Sequence, residues 1–299
     1  KIAALASCKS MDVGYSGLKD KWAVTRQWFS VYLPGGDQLD WQSLAEQASS
    51  DNSAGAYIKL LTVCRHSRKL RRGAHKANAF KLVVSSLSAV DLYEPLALKI
   101  KALCEQGVPN YFGEQRFGKS NLPKARALFS ANKRMPREQR SLCLSAARSY
   151  LFNRVLDARI AANNWSTYVD GDVLMLDGSR SRFVLDAEAD SVADSGAQMA
   201  AKIEQRLAQG DIHISGPMCG RGSSGVTAAA EQLEDAAIAD EIALVEGLDR
   251  QGVDVARRPL RCFPKQFEWQ LEDEKCHLSF ILPTGSYATV LIRELVECL

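Results

Sequence analysis

The sequence predicts an α+β fold in which a mostly helical segment interrupts a β-rich one. Three observations carry that expectation. Strand-like patterns fill the early part of the 299-residue chain and return in its last part. Between them, apolar residues recur at helical spacing over long stretches rich in Ala and Glu. Charge divides as well: residues 1–150 hold 24 Lys/Arg against 11 Asp/Glu, a net of +13, whereas residues 151–299 hold 14 against 24, a net of −10. Such a chain presents one part to a polyanion, nucleic acid foremost with an acidic protein or lipid surface left open by charge alone, and keeps itself dissolved with the other. An apolar fraction of 46% is ample for one large domain or two moderate ones.

Taken in order, the segment Val13 to Leu33 reads as two short strands around a turn, punctuated by Gly14 and Gly17 and stopped by Pro34. Tyr57 to Val63 reads as extended, and Phe80 to Val84 as a strand. Leu92 to Gln106 is helical by apolar period and is ended by Gly107 and Pro109. Arg137 to Asn163 is a long helix. Val169 to Leu176 suggests a strand pair turning at Asp170-Gly171. Ser195 to Gln209 and Thr227 to Arg250 read as helices. His277 to Leu282 is a strand, followed by Pro283-Thr-Gly-Ser and a final helix ending near Leu299.

Several classes are excluded. No apolar run approaches the roughly 20 residues of a membrane span. The first eleven residues carry no signal-peptide pattern. They also lack an initiator Met, so a preceding segment is expected. The eight cysteines form no Cys-x-x-Cys pair, and the four histidines do not join them at ligand spacing. That favours a reducing compartment, the cytoplasm, and no structural metal.

Residues 65–76 hold six Lys/Arg and two His with no acid, and Arg116 to Arg140 hold eight Lys/Arg against one Glu. Either run alone is equally a solvated basic loop. Together they point to a phosphate backbone. Phe80, Tyr111, Phe112 and Phe117 lie among or beside these runs, where an aromatic can stack on an unpaired base or simply belong to the core. Gly113 to Ser120 fits the P-loop pattern by letter. It follows a helix stop, however, carries Arg116 and Phe117 in the loop, and meets Pro123 where a helix should begin. Gly220-Arg-Gly-Ser-Ser-Gly225 fits the dinucleotide fingerprint, but Pro217 interrupts its strand and no βαβ unit surrounds it. A flexible loop between helices is the better expectation.

Three separated segments carry a resemblance: Gly14-Tyr-Ser-Gly-Leu-Lys-Asp-Lys-Trp-Ala-Val-Thr-Arg-Gln27, Lys76-Ala-Asn-Ala-Phe80 and Gly107-Val-Pro-Asn-Tyr-Phe-Gly-Glu-Gln-Arg-Phe-Gly118. With Leu282-Pro-Thr-Gly-Ser-Tyr-Ala-Thr289 they resemble the TruD family of tRNA pseudouridine synthases, in order and spacing, over nearly the whole chain. The resemblance implies a catalytic domain with a mixed or antiparallel sheet, here residues 1–106 and 262–299, interrupted by an inserted, mostly helical TRUD domain, residues 107–261. It also implies a segment before Lys1 that contributes to the pocket. Three positions depart from the pattern: Tyr287 replaces a common Phe, Ala77 a common Gly, and Lys119 is foreign to the family.

The resemblance further implies isomerisation of uridine to pseudouridine in tRNA, at position 13 for bacterial members, with no metal or organic cofactor. The expected partner is tRNA and not a membrane, and the chain is expected to be a monomer. Asp20 is then the nucleophile. A carboxylate suits a reaction that breaks a C–N glycosidic bond and forms a C–C bond, and it is ionised at neutral pH. Lys19, Lys21 and Arg116 are candidate charge partners, left open here. By the resemblance Phe80 stacks on the flipped uracil, Asn78 hydrogen-bonds near it and Tyr287 closes the pocket. Arg68, Lys69 and Arg71 would hold flanking phosphates.

Overall fold

The computed structural model describes residues 1–20, 22–34, 39–50, 58–85, 93–131, 134–185, 196–272 and 274–296. They belong to two compact units, Lys1–Lys76 and Ala77–Leu299.

In the first unit a short helix α1 (Ile2–Leu5) precedes strands β1 (Val13–Tyr15) and β2 (Phe29–Val31). The strands pair antiparallel, Val13 opposite Val31 and Tyr15 opposite Phe29. The expected strand pair therefore forms, although its strands are joined across many residues, 16–20 and 22–28 of them described as loop, and not by a tight turn. Gly14 is required by close approach: a Cβ there would lie 2.5 Å from Ser30 Oγ and 2.6 Å from the Leu70 carbonyl oxygen. Helix α2 (Trp41–Ser50) follows Asp40. The Asp40 carboxylate accepts from the amides of Gln42 and Ser43, both at 3.1 Å, and from Ser43 Oγ at 2.6 Å. These bonds, the Ser43 hydroxyl foremost, lower its pKa and satisfy amides that a helix start leaves open. Residues 58–63, expected to be extended, join no sheet among the described residues; Tyr57 lies outside them.

The second unit opens with β3 (Ala77–Ser85), whose exposure alternates strictly, with Asn78, Phe80, Leu82 and Val84 on the inward face. Helix α3 (Tyr93–Gln106) stops at Gly107, which has φ +80°. Then come β4 (Val108–Pro109), α4 (Asn121–Ala131), α5 (Arg137–Ala161), β5 (Val173–Leu176), β6 (Arg182–Val184), α6 (Gly196–Gln209) and β7 (Ile212–Met218). Helices α7 (Ala228–Ile238) and α8 (Ile242–Arg250), strands β8 (Ala256–Pro259), β9 (Arg261–Cys262), β10 (Lys265–Glu272) and β11 (Lys275–Pro283), and helix α9 (Ala288–Val296) complete it. The sheets run β10-β11-β3, β6-β5-β7-β8 and β4-β9, and every strand pair is antiparallel.

Three larger apolar clusters, beside a small one of Val173, Val226 and Ala230, fill this unit among the described residues. One lies between the β10-β11-β3 sheet and helices α3 and α9, built on Leu278, Phe280, Leu282, Leu291 and Leu295. A second joins Phe152, Leu156, Leu174, Ile212 and Ile214. The third packs α4, α5 and α8 through Leu151, Leu244 and Leu248. Two buried ion pairs brace the middle. Arg159 meets Asp172 at 3.2 and 2.8 Å, and Arg257 meets Glu234 at 2.9 and 2.6 Å.

Four sequence expectations change. The turn at Asp170-Gly171 exists, but it precedes β5; the hairpin turns after Leu176 and pairs β5 with β6. Asp172 is fixed by Arg159, which pins that first turn to α5. The segment Thr227 to Arg250 divides into α7 and α8 instead of running as one helix. Strand β7 continues through Pro217, opposite Arg257, so the following glycine-rich loop lies between a strand and a helix and not between helices. Finally, α4 starts directly after Ser120 with Pro123 in its first turn, where proline is tolerated. The P-loop match still fails on topology, because the strand before it has two residues and pairs antiparallel with β9.

Candidate active site

In the first unit Asp20 stands in the loop between β1 and β2 and is exposed, as are Leu18, Lys19, Trp22 and Val24. Among the described residues no hydrogen bond or ion pair reaches its carboxylate. Lys21 lies outside the described residues. The basic run is laid back along the base of this loop. Leu70 N donates to Ser30 Oγ at 2.9 Å, Gly73 N to the Ser16 carbonyl at 2.6 Å, and Ser16 Oγ to the Arg71 carbonyl at 3.4 Å. The His75 ring packs on Gly17. Arg72 crosses the Tyr15 ring at 5.4 Å and donates to its hydroxyl at 2.8 Å. Lys69 turns its ammonium to the Met11 carbonyl. Arg68 and Arg71 are exposed. A chain with six cations in twelve residues is thus anchored by main-chain bonds, and most of its charge points to solvent.

In the second unit Asn78 and Phe80 share the inward face of β3. Asn78 stands opposite Leu282 and Phe80 opposite Phe280. Phe80 is half-buried, 5.5 Å from the Phe280 ring, which in turn stacks on Phe267 at 5.4 Å. The core reading of Phe80 therefore holds for one face of the ring. Strand β11 ends beside Ala77 and leads through residues 284–286 to Tyr287. The antiparallel register thereby gathers Asn78 and the Tyr287 loop at one end of the sheet.

The long motif between Gly107 and Gly118 sits against that loop. Phe112 meets Tyr287 at 6.1 Å and 65°. A Cβ on Gly113 would come within 3.2 Å of the Tyr287 ring, a tight contact that glycine avoids. Arg116 lies over Phe112 at 5.5 Å and bonds Ser149 Oγ at 3.4 Å. Asn153 of α5 grips both backbone groups of Phe112, accepting from its amide at 2.9 Å and donating to its carbonyl at 3.0 Å. Tyr111 donates to Asp157 at 2.5 Å; burial and that carboxylate push the phenol pKa up.

Two residues packed against this motif escaped the sequence reading. Asn110 is buried, and Arg258 contacts it through the strand that pairs with β7. The signal was available: Arg257-Arg258-Pro-Leu-Arg261 is a cationic run in the acidic half of the chain. Asn110 lies inside the most specific motif, but nothing in a sequence says that the two meet.

A family model described as tRNA pseudouridine synthase D (TruD) matches residues 1–123 and 120–295. The chain belongs to the TruD family. Proteins named tRNA pseudouridine synthase D are similar to it throughout. That of Methylococcus capsulatus is 42% identical over 301 residues, covering 99% of this chain and 79% of the relative. That of Azotobacter vinelandii is 42% identical over 302 residues, with the same coverage, and that of Aeromonas salmonicida 39% over 298 residues, with 99% and 78% covered. A crystal structure titled putative tRNA pseudouridine synthase D from Methanosarcina mazei shares the fold, with a TM-score of 0.69 at 19% identity over 99% of this chain and 83% of that one. The enzyme class follows from the family: a pseudouridine synthase, which is an isomerase.

Proposed function

We propose that this chain converts a uridine of tRNA, at position 13, to pseudouridine with Asp20 as nucleophile and without a metal or cofactor. The observation that carries the reading is the loop of Asp20: an exposed carboxylate in the family's Gly-Leu-Lys-Asp motif, in one unit with an exposed basic run tied to the base of its loop. Cations there attract the phosphate backbone and favour an ionised carboxylate once substrate covers it. In the reaction the N1–C1′ bond breaks while Asp20 holds the detached fragment. The base turns and C5–C1′ forms; the C5 proton leaves to solvent and N1 takes up another. Asn78 and Phe80 would receive the flipped uracil, with Tyr287 closing over it. Arg68 and Arg71 suit flanking phosphates better than Lys69, whose ammonium is already engaged with Met11. Lys19, Lys21 and Arg116 all stand as candidate partners of Asp20. In the same reading residues 1–106 with 262–299 form the catalytic domain and 107–261 the insertion. The pairing of β3 with β11 supports it, since it joins the two ends of the interrupted part. The enzyme works as a cytoplasmic monomer.

The test is release of tritium from C5-labelled tRNA. Release at a rate matching pseudouridine formation supports the proposal. Tight tRNA binding without release would mark a non-catalytic RNA-binding protein, and ATP binding that is lost in Lys119→Ala would revive the P-loop.

A further inference from the structure

Arg258 is a half-buried cation with no carboxylate partner among the described residues. Its neighbours in sequence are accounted for differently. Arg257 is neutralised by Glu234, and Arg261 donates to the carbonyls of Leu207 and Gln106. The Arg258 guanidinium instead gathers four hydrogen bonds on three neutral acceptors. Nε and Nη2 both donate to the Asn110 carbonyl, at 3.2 and 3.0 Å; Nη2 also donates to Asn110 Oδ1 at 2.6 Å and to the Gly285 carbonyl at 3.0 Å. Ser286 Oγ closes the circuit by donating to Asn110 Oδ1 at 3.0 Å. Asn110 is itself fixed, donating from its amide to Leu260 at 2.8 Å and from Nδ2 to Pro259 at 3.0 Å.

The same guanidinium lies 4.1 Å above the Phe112 ring, the ring that meets Tyr287 edge-on. Taking a cation out of water without an anion is costly, and burial pushes the Arg258 pKa down to about 10. Such a group is kept where a flat, rigid fork must hold several carbonyls in one geometry, which lysine cannot do. The acceptors here are Asn110, at the base of the Gly107–Gly118 motif, and Gly285, two residues before Tyr287, while Ser286 ties the same loop to Asn110 as a donor.

We infer that Arg258, with Asn110, is a positioning residue that fixes the 284–287 loop and so the ring of Tyr287 for the isomerisation. The inference rests on the reading of Tyr287 as the residue that closes the pocket. The experiment is a double-mutant cycle on the full chain with tRNA. Single-turnover rates at saturating tRNA and tRNA Kd are measured for wild type, Arg258→Lys, Tyr287→Ala and the double variant, with Tm followed in each. Arg258→Lys is expected to lower the rate about tenfold while Kd changes less than about twofold, and to have no further effect once Tyr287 is Ala. An undiminished effect in the Tyr287→Ala background, an effect on Kd alone, or no effect overturns the positioning role. A normal rate in Tyr287→Ala overturns the reading beneath it, and the two failures are thereby distinct. Should Arg258→Lys not fold, Ser286→Ala removes a single bond of the same circuit. It is expected to lower the rate roughly threefold, again only when Tyr287 is present; equal loss in both backgrounds overturns the role.

Discussion

The two units of this chain are held together in different ways. Between Lys1 and Lys76 the apolar burial is slight: among the described residues Ala6 is the one buried hydrophobic side chain, while Leu18, Trp22 and Val24 beside Asp20 are more than 80% exposed. Order there comes from backbone and side-chain hydrogen bonds between the β1–β2 pair and the basic run. From Ala77 onward four apolar clusters and two buried ion pairs among the described residues define the structure. The difference teaches where each kind of residue can sit. On the reading proposed above, the nucleophile sits on an open loop, where little else depends on it, and the residues that would receive the base sit on a packed frame.

Four measurements would break or sharpen that contrast. Asp20→Asn should reduce pseudouridine formation by more than about a thousandfold while tRNA affinity and Tm stay near wild type. Retained turnover would remove Asp20 as nucleophile, and a large fall in Tm would place it in the frame. Asp172→Ala should do the opposite to stability, costing about 3–5 kcal/mol by leaving Arg159 buried without its anion. Urea unfolding would read this out, and a loss below about 1 kcal/mol would sink the idea of a braced middle. Arg71→Ala should weaken tRNA binding modestly and reduce the slope of log Kd against log salt by about one; an unchanged slope would mean no phosphate contact. The smallest effect concerns His213. Burial holds its imidazole below the ordinary 6.5, in spite of the Asp177 carboxylate at 3.0 Å. The unfolded chain therefore takes up this proton first on acidification. Stability from the neutral ring is present above about pH 6.5 and is lost as pH falls below it. Tm should decline from about pH 7.5 to 5.5, and His213→Gln should flatten part of that decline; parallel curves would exclude it.

Much of this was legible in the sequence, and the reasons are specific. Long periodic segments declared α3 and α5, because burial on one face of a helix leaves a period in the sequence, and the apolar run Phe80 to Val84 declared part of β3, whose alternating exposure only the structure shows. The break between α7 and α8 left no such trace: Ala, Glu and Ile continue through it, and packing against α4 and α5 decides where the chain bends. The two-residue strands β4 and β9 were equally silent. For the proposed site, the resemblance supplied Asp20, Asn78, Phe80 and Tyr287 as candidates. What placed Asn78 and Tyr287 at one end of a sheet was register, set by the pairing of Ala77 with Pro283 across 206 positions of chain. Register of that range is a tertiary fact. Arg258 fell outside the reading for a related reason: its partners are mainly carbonyl oxygens, and backbone atoms have no letter in a sequence.

Asn153 extends this point. By taking the amide of Phe112 and returning its own to the same residue's carbonyl, it gives an irregular segment the two bonds that a neighbouring strand would give. The carboxamide acts as a one-residue strand borne on a helix. The motif is thereby tied to α5 through a single side chain. Asn153→Asp, isosteric but lacking the donor, should leave the carbonyl of Phe112 unmatched and lower Tm; an unchanged Tm would show that the bond contributes nothing to the hold on this segment.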